Sequence, residues 1–342
     1  MPRTIRNCLN KCLTFEKMIE AHERAKKGKM NRFEVLNFEL NLESNIVNLV
    51  EKIKKGQYET GNYRSFVVHE PKTREIKALP YIDRVVHQWY VHEFIKPYLV
   101  PKFIKDTYAC IDNRGTHKAV DTVEKYMRLM QRRAGNDYYI LKMDIKKYFY
   151  TIDQEILYHI MNEYISEKKL LSFTKTLIFS EADKIGIPIG NYTSQFFANI
   201  YLDKLDKFIK HELKIRYYVR YMDDFVILIG NRDAAKKLFK KIEIFIENNL
   251  KLSLNHKSRY YPSPLGVNFC GYRIWNTHRL VRNRSKKKIK KQIKKWNYLF
   301  SKNKLDSKKF ILSFNSWLGH IKHADSYNLM IGMMKKINFI DL

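Results

Sequence analysis

Residues 217–229, YYVRYMDDFVILI, contain the most informative pattern in this chain. Runs of aromatic and branched residues stand on both sides of Asp223 and Asp224, and such runs favour β-strands. A short break between two such runs predicts a tight hairpin turn. Adjacent carboxylates beside buried strands are costly unless a cation binds them. The stretch therefore predicts a hairpin that carries a metal site.

A third acid, Asp144, lies near the end of another apolar strand, predicted over 138–145. Alternation along a strand puts it on the face opposite Met143 and Ile145. We expect Asp144 to meet Asp223 and Asp224 across one sheet, with Asp223 as the shared ligand. Three carboxylates suit two Mg²⁺ ions, or Mn²⁺ in their place, in an in-line phosphoryl transfer. Any one of these acids alone is more typical of a strand cap or a solvated turn.

Helices are predicted around these strands, which makes the chain an α+β protein. Apolar residues at helical spacing predict helices before residue 60, and a basic hairpin follows over 65–79. Further helices are predicted over 84–98, 116–133, 194–213 and 285–295, the last of which is rich in lysine.

The chain of 342 residues has 65 Lys and Arg against 35 Asp and Glu, a formal charge of +30. Such an excess favours a nucleic-acid partner, and a basic surface kept for solubility or for anionic lipid is the alternative. Spacing among Cys8, Cys12, Cys110 and Cys270 fits neither a zinc site nor a disulfide framework. We expect no membrane span, because no apolar run is long enough.

Several segments, in order, resemble the palm motifs of reverse transcriptases: MDIKKYF (143–149), GIPIG (186–190), TSQ (193–195) and YMDD (221–224). The stretch IGNYTSQ (189–195) is similar to the signature of reverse transcriptases from diversity-generating retroelements, which are related to group II intron enzymes. Ile189 stands where most reverse transcriptases have Gln, and Gln195 stands where they have Pro. NFCGY (268–272) resembles the primer grip, and WLGHIKH (317–323) resembles a thumb helix.

This resemblance implies a right-hand polymerase with fingers, a palm whose mixed or antiparallel sheet is covered by helices, and a helical thumb. We divide the chain accordingly into an N-terminal helical extension (1–60), fingers (61–135), a palm (136–280, with a finger insertion near 155–185) and a basic helical thumb (281–342).

The implied activity is an RNA-directed DNA polymerase that copies a retroelement template RNA into cDNA. The implied partners are the template RNA, the cDNA or primer, dNTPs, and a small basic accessory protein, monomeric or oligomeric. We expect a cytoplasmic protein encoded by a bacterium or a phage. The resemblance also implies errors opposite template adenine, with which such enzymes are associated. We hypothesise that Ile189 contributes to these errors, because isoleucine offers shape but no hydrogen bond.

Site residues follow from the same motifs. The catalytic set is Asp144, Asp223 and Asp224, and the metal-binding set comprises these three acids and Ile145. The nucleotide-binding set is Lys72, Arg74, Phe149, Ile189, Gly190 and Gln195, with Phe149 as the steric gate against ribonucleotides. The primer-grip set is Phe269, Cys270, Gly271 and Tyr272. The nucleic-acid backbone set is Lys286, Lys287, Lys290, Lys291, Lys294, His320 and Lys322. Alternatively, Phe149 is an ordinary core aromatic residue, and the lysines are solvent-exposed charges without a binding role.

Other functions share parts of this pattern. A phage-defence or retron reverse transcriptase has the same acids and fold but a different product. A group II intron maturase is chiefly an RNA-binding splicing factor. A non-enzymatic RNA-binding module predicts that Asp223→Asn with Asp224→Asn leaves function intact.

Overall fold

A computed structural model describes residues 5–69, 73–181 and 183–339 of the chain. The Cα positions divide it into two compact units. The first unit comprises 1–111, 144–214 and 241–256, and the second comprises 112–143, 215–240 and 257–342.

The described residues form helices and strands in the following order. The α-helices are α1 (Leu9–Cys12), α2 (Phe15–Lys26), α3 (Phe33–Leu40), α4 (Leu42–Lys54), α5 (Tyr81–Tyr90), α6 (Lys96–Tyr98), α7 (Thr116–Ala134), α8 (Tyr148–Thr151), α9 (Gln154–Tyr164), α10 (Lys168–Ile178), α11 (Tyr192–Lys207), α12 (Arg232–Leu250), α13 (Asn283–Ser301), α14 (Ser307–Ile321) and α15 (Tyr327–Met334). The strands are β1 (Arg64–Val68), β2 (Arg74–Ala78), β3 (Tyr139–Asp144), β4 (Tyr218–Tyr221), β5 (Asp224–Ile229), β6 (Arg259–Pro262), β7 (Val267–Phe269), β8 (Tyr272–Ile274) and β9 (Arg279–Val281). Segments Val91–Ile95 and Phe208–Glu212 are π-helical, and Val100–Lys102 and Ser263–Leu265 are 3₁₀ turns.

Helix α5 is central to the core of the first unit and packs against α2 and α11. Its apolar face is almost fully buried, and Trp89 and Tyr90 lie edge-on or tilted against Phe94 and Phe173. The indole N–H of Trp89 donates to the Cys12 carbonyl at 2.7 Å, which pairs a polar group that burial would otherwise leave unsatisfied.

Helix α11 is buried along most of its length, so its polar side chains need partners inside the protein. Asn199 donates to the Ala109 carbonyl at 2.7 Å, and Thr107 donates to Asp206 at 2.6 Å. The helix begins at Tyr192, two residues before the predicted start at residue 194. The Asn191 amide donates to the Tyr63 hydroxyl at 2.7 Å, and the Asn191 side chain makes no capping hydrogen bond.

The second unit contains a four-stranded sheet in the order β4-β5-β3-β6. Strands β4 and β5 form an antiparallel hairpin, and β3 pairs antiparallel with β6. Helix α7 packs against β4 and β5, with Tyr126 edge-on to Tyr217 at 5.3 Å. Strand β6 completes the sheet, and its half-exposed sequence gives little sign of a strand.

A separate helical core lies near the end of the chain. Trp296 of α13 meets Phe310 of α14 edge-on at 4.9 Å, and Ile289, Ile293, Phe314 and Trp317 complete the buried side. Because these apolar residues recur at helical spacing, the lysines of α13 lie on its other face.

Most of the predicted elements are confirmed to within a few residues. The β1–β2 hairpin begins one residue before the predicted strands, and the predicted helix 194–213 is α11 together with the π-helical segment that follows it. No helix of the described residues is long and apolar enough to cross a membrane.

Candidate active site

The predicted acidic turn is present and very tight. Tyr221 pairs with Asp224, so Met222 and Asp223 form a two-residue loop between β4 and β5. Met222 has a φ of +56°, and a positive φ at the first loop position is the pattern of a type II′ turn. Residues other than glycine, asparagine and aspartate rarely adopt this φ, so contacts with the surrounding residues must stabilise the turn.

Arg220 stabilises the backbone of this turn. It is fully buried, and its Nη1 donates to the Met222 carbonyl at 3.0 Å. Its guanidinium thereby brings positive charge to the turn that carries the two carboxylates. Sequence reasoning did not assign Arg220 a role, although a charged residue within an apolar strand is itself an informative signal.

Asp224 forms an ion pair with Lys142 of β3, the strand beside β5 in the sheet. The side chains of Lys142 and Asp224 are 18% and 32% exposed, so water screens the pair only partly. Lys142 also lies over the Phe269 ring, with Nζ 5.4 Å from the ring centroid. Lys142 is a second residue that sequence reasoning missed.

Asp144 is the last residue of β3, and the backbone around it is fixed within the first unit. Its carbonyl accepts a hydrogen bond from the Asn255 amide at 2.7 Å, and the Lys146 amide donates to the Ser253 carbonyl at 2.9 Å. These two hydrogen bonds form an isolated antiparallel β-bridge between Ile145 and Leu254. The bridge is made by the residues on either side, so the Ile145 carbonyl takes no part in it. That carbonyl is the one oxygen through which Ile145 could bind a metal.

The donor types at these positions fit a hard divalent cation, because carboxylate and carbonyl oxygens suit Mg²⁺ and Mn²⁺. Across the described ranges, no group of three or more His, Cys, Asp or Glu side chains is arranged to hold a metal. The meeting of Asp144 with Asp223 and Asp224 therefore stays a prediction. The ion pair of Asp224 with Lys142 means that a metal would have to compete with an ammonium group there.

Phe149 and Ile189 line one pocket of about 210 Å³ within the first unit. The pocket wall is held by backbone bonds, because the Ile187 amide donates to the Phe149 carbonyl at 2.8 Å and the Lys77 amide donates to the Ile189 carbonyl at 2.9 Å. The second bond ties strand β2 to the wall. Two of the predicted nucleotide-binding residues thus share a cavity.

Gly190 allows this close approach. A Cβ atom at this position would lie 2.3 Å from the Lys77 carbonyl oxygen, and the φ of +140° disfavours other residues. Gly190, which is predicted to bind nucleotide, is therefore also required by the packing of the backbone.

The charged rim of the pocket differs from expectation. Lys77, which is outside the predicted nucleotide-binding set, lines the pocket and pairs with Glu181, while Arg74 is exposed on β2. Glu75 and Asp183 also line the cavity. Lys72 lies outside the described residues.

Gln195 is exposed on the first turn of α11. Its Oε1 accepts a hydrogen bond from the Cys110 thiol at 3.4 Å. Burial raises the pKa of the Cys110 thiol, which keeps it protonated and able to donate. This contact was not visible from the sequence, because the two residues are far apart in the chain.

The Phe269–Tyr272 hairpin joins β7 and β8 through Cys270 and Gly271. Both loop residues have positive φ, +45° and +93°, as a type I′ turn requires. The Tyr272 hydroxyl donates to the His320 carbonyl at 2.7 Å and fixes α14 against the hairpin. A Cβ atom at Gly271 would lie 3.1 Å from the His320 ring, so glycine permits this contact.

The residues predicted to contact a nucleic-acid backbone fall into two groups. Lys287, Lys290, Lys291, Lys294 and Lys322 are exposed, as such a role requires. Lys286 and His320 are half-buried. Burial lowers the pKa of His320, which favours its neutral form and weakens any attraction to phosphate.

A buried hairpin with adjacent acids at its turn, set in an antiparallel sheet, defines the palm class of polymerases. Residues 53–274 match the family described as "Reverse transcriptase (RNA-dependent DNA polymerase)". The chain belongs to this family.

Two similar curated proteins are encoded by introns. The "Putative COX1/OXI3 intron 2 protein" of Saccharomyces cerevisiae is 26% identical over 40% of this chain and 24% of that protein. The "Group II intron-encoded protein LtrA" of Lactococcus lactis subsp. cremoris is 21% identical over 68% of this chain and 50% of that protein. The chain thus spans half or less of the length of these relatives.

Solved telomerase structures share the fold. The telomerase of Candida albicans, solved with a fragment of telomeric RNA, matches 70% of this chain with a TM-score of 0.51 and 12% identity. Apo telomerase of Candida tropicalis matches 71% with a TM-score of 0.50 and 13% identity. The prediction of a right-hand polymerase fold is confirmed.

Gly190→Ala should destabilise the protein by roughly 2 kcal/mol or more, because the new methyl group meets the Lys77 backbone and the φ is strained. Gly332→Ala is the matched control. Gly332 lies in α15 with open space around it, so alanine there should be neutral or stabilise by up to about 1 kcal/mol. Urea unfolding measures both, and equal effects of the two changes would contradict the tight contact at Gly190.

Proposed function

We propose that this chain is an RNA-directed DNA polymerase that uses Asp144, Asp223 and Asp224 to hold divalent cations. The acidic turn supports this most strongly, because its strained Met222 and buried Arg220 serve to present two adjacent carboxylates. Membership of the reverse transcriptase family supports the polymerase part of this proposal.

The proposed reaction is nucleotidyl transfer. The primer 3′-hydroxyl oxygen forms a bond to the α-phosphorus of a dNTP, and the bond from that phosphorus to the departing pyrophosphate breaks. Bound Mg²⁺ ions would activate the hydroxyl and neutralise the charge of the phosphates. The protein's own contribution is to orient the carboxylates and to place primer and nucleotide in line.

The pocket of Phe149 and Ile189 is the proposed place for the sugar and base of the incoming nucleotide. A flat aromatic ring at 149 fills space and offers the ribose 2′-hydroxyl no strong hydrogen-bond partner, which favours deoxynucleotides. Arg74 at the exposed edge of β2 is the proposed contact to the triphosphate, since a guanidinium binds phosphate through paired hydrogen bonds.

The formal charge of +30 and the exposed lysines of α13 support an extended polyanion as partner. We propose template RNA with its primer or cDNA. A small basic accessory protein and a cytoplasmic location are further proposals, and both depend on the resemblance to diversity-generating retroelements.

The finer proposal is that the enzyme makes errors opposite template adenine. Ile189 supports it, because this residue lines the pocket with an apolar side chain where a glutamine amide would offer hydrogen bonds. A pocket that recognises shape alone discriminates weakly between similar substrates.

An intron-encoded, RNA-binding role in splicing is the second candidate. The similarity to the group II intron-encoded protein favours it, since that match covers 68% of this chain. Intron sequence around the gene would support this role, and near-identical repeats differing at adenines would support the retroelement role.

Asp144→Asn, Asp223→Asn and Asp224→Asn should each lower primer extension on an RNA template roughly 10³-fold, because lost charge at a metal ligand removes several kcal/mol of transition-state stabilisation. Asp233→Asn, an exposed acid at the start of α12, is the control and should leave the rate unchanged. Extension of a labelled DNA primer measures the rate. Full activity after Asp144→Asn, or after the double change at 223 and 224, would contradict the polymerase assignment.

Ile189→Gln should lower misincorporation opposite adenine several-fold and leave errors opposite other bases nearly unchanged, because the amide restores a hydrogen-bonding check. Sequencing of cDNA made by both proteins on one template measures this. Ile187→Leu, a change at a buried pocket residue that adds no polar group, is the control. Equal adenine error rates for wild type and Ile189→Gln would remove Ile189 from the explanation.

A further inference from the structure

Lys142 has an unusual position for a lysine. It lies in the middle of β3 between Leu141 and Met143, which are fully buried, and its own side chain is 18% exposed. A charge so poorly hydrated is costly unless other groups compensate it. The neighbours of Lys142 should therefore explain why the lysine is there.

Among the neighbours of the ammonium group, Asp224 and Phe269 attract it and Arg259 repels it. Asp224 forms the ion pair, and the Phe269 ring offers its face with the centroid 5.4 Å from Nζ. Arg259 stands directly opposite Lys142 on β6, and like charges at opposed positions of a sheet repel each other. The arrangement pushes the ammonium group away from β6 and towards Asp224.

The charge of Lys142 also acts on Cys270 at the tip of the β7–β8 hairpin. Burial raises the pKa of the Cys270 thiol to about 12, while Lys142 and Arg282 act in the opposite direction. Lys142 therefore lies between the acidic turn and the Phe269–Tyr272 hairpin, all within the second unit.

An ammonium group and a divalent cation cannot both sit against one carboxylate without strong repulsion. A cation that binds Asp224 must therefore displace Lys142. Each metal-binding event then includes the breaking of an existing ion pair.

We propose that Lys142 is a built-in counter-ion that competes with the divalent cation for Asp224 and weakens metal binding by the free protein. The proposal rests on the proposed function, in which Asp224 is a metal ligand. Its consequence is that the carboxylate is neutralised before any metal arrives, so the acidic turn is stable without one.

Mn²⁺ binding to the metal-stripped, full-length protein without nucleic acid tests this. The free Mn²⁺ signal in electron paramagnetic resonance gives the dissociation constant. Lys142→Met removes the charge and keeps the length of the side chain, and it should tighten Mn²⁺ binding about fivefold or more. Lys236→Met changes an exposed lysine of α12 and should leave the dissociation constant unchanged.

Lys142→Arg keeps a positive charge beside Asp224 and should bind Mn²⁺ no more tightly than the wild type. This variant controls for the possibility that replacing Lys142 alters Mn²⁺ binding through the fold rather than through the charge. Asp224→Asn separates the two proposals. If Asp224→Asn weakens Mn²⁺ binding while Lys142→Met does not tighten it, the competition by Lys142 is overturned and the metal site stands. If Asp224→Asn has no effect, the metal site of the proposed function is overturned as well.

Discussion

The repulsion between adjacent carboxylates is the constraint on which the rest of this structure depends. Asp223 and Asp224 are held at a two-residue turn whose first residue, Met222, has an unfavourable φ. Buried Arg220 and half-buried Lys142 bring positive charge to this turn. Each cation is costly to bury alone, and each is compensated by the acids or carbonyls that it stabilises. The two carboxylates and the two cationic side chains therefore stabilise one another.

A second constraint operates at the pocket lined by Phe149 and Ile189. Gly190 lets the backbone of β2 approach the pocket wall, and the Lys77 amide then bonds to the Ile189 carbonyl. The ion pair of Lys77 with Glu181 adds a side-chain link at the same place. The hairpin and the pocket are thereby fixed together, so a change in β2 alters the shape of the cavity that contains Phe149 and Ile189.

The sequence predicted what depends on local pattern. Runs of apolar, aromatic and branched residues predicted β3, β4 and β5, and the break between two of these runs predicted the turn at Met222 and Asp223. Strand β6 escaped notice because its four residues are exposed or half-buried, and its place in the sheet comes from pairing with β3, which is distant in sequence. Lys142, Arg220 and the contact of Cys110 with Gln195 were missed for a related reason, since each depends on a neighbour that only the folded chain brings close. The resemblance to known motifs supplied the roles of the remaining site residues.

The most direct test of the central claim is anomalous diffraction from crystals of the protein with Mn²⁺, a dNTP and a primer–template whose primer lacks the 3′-hydroxyl. The account predicts Mn²⁺ peaks within coordination distance of the carboxylates of Asp144 and Asp223 or Asp224, with Lys142 withdrawn from Asp224. Ordered nucleic acid and nucleotide with no Mn²⁺ peak at these carboxylates would contradict it.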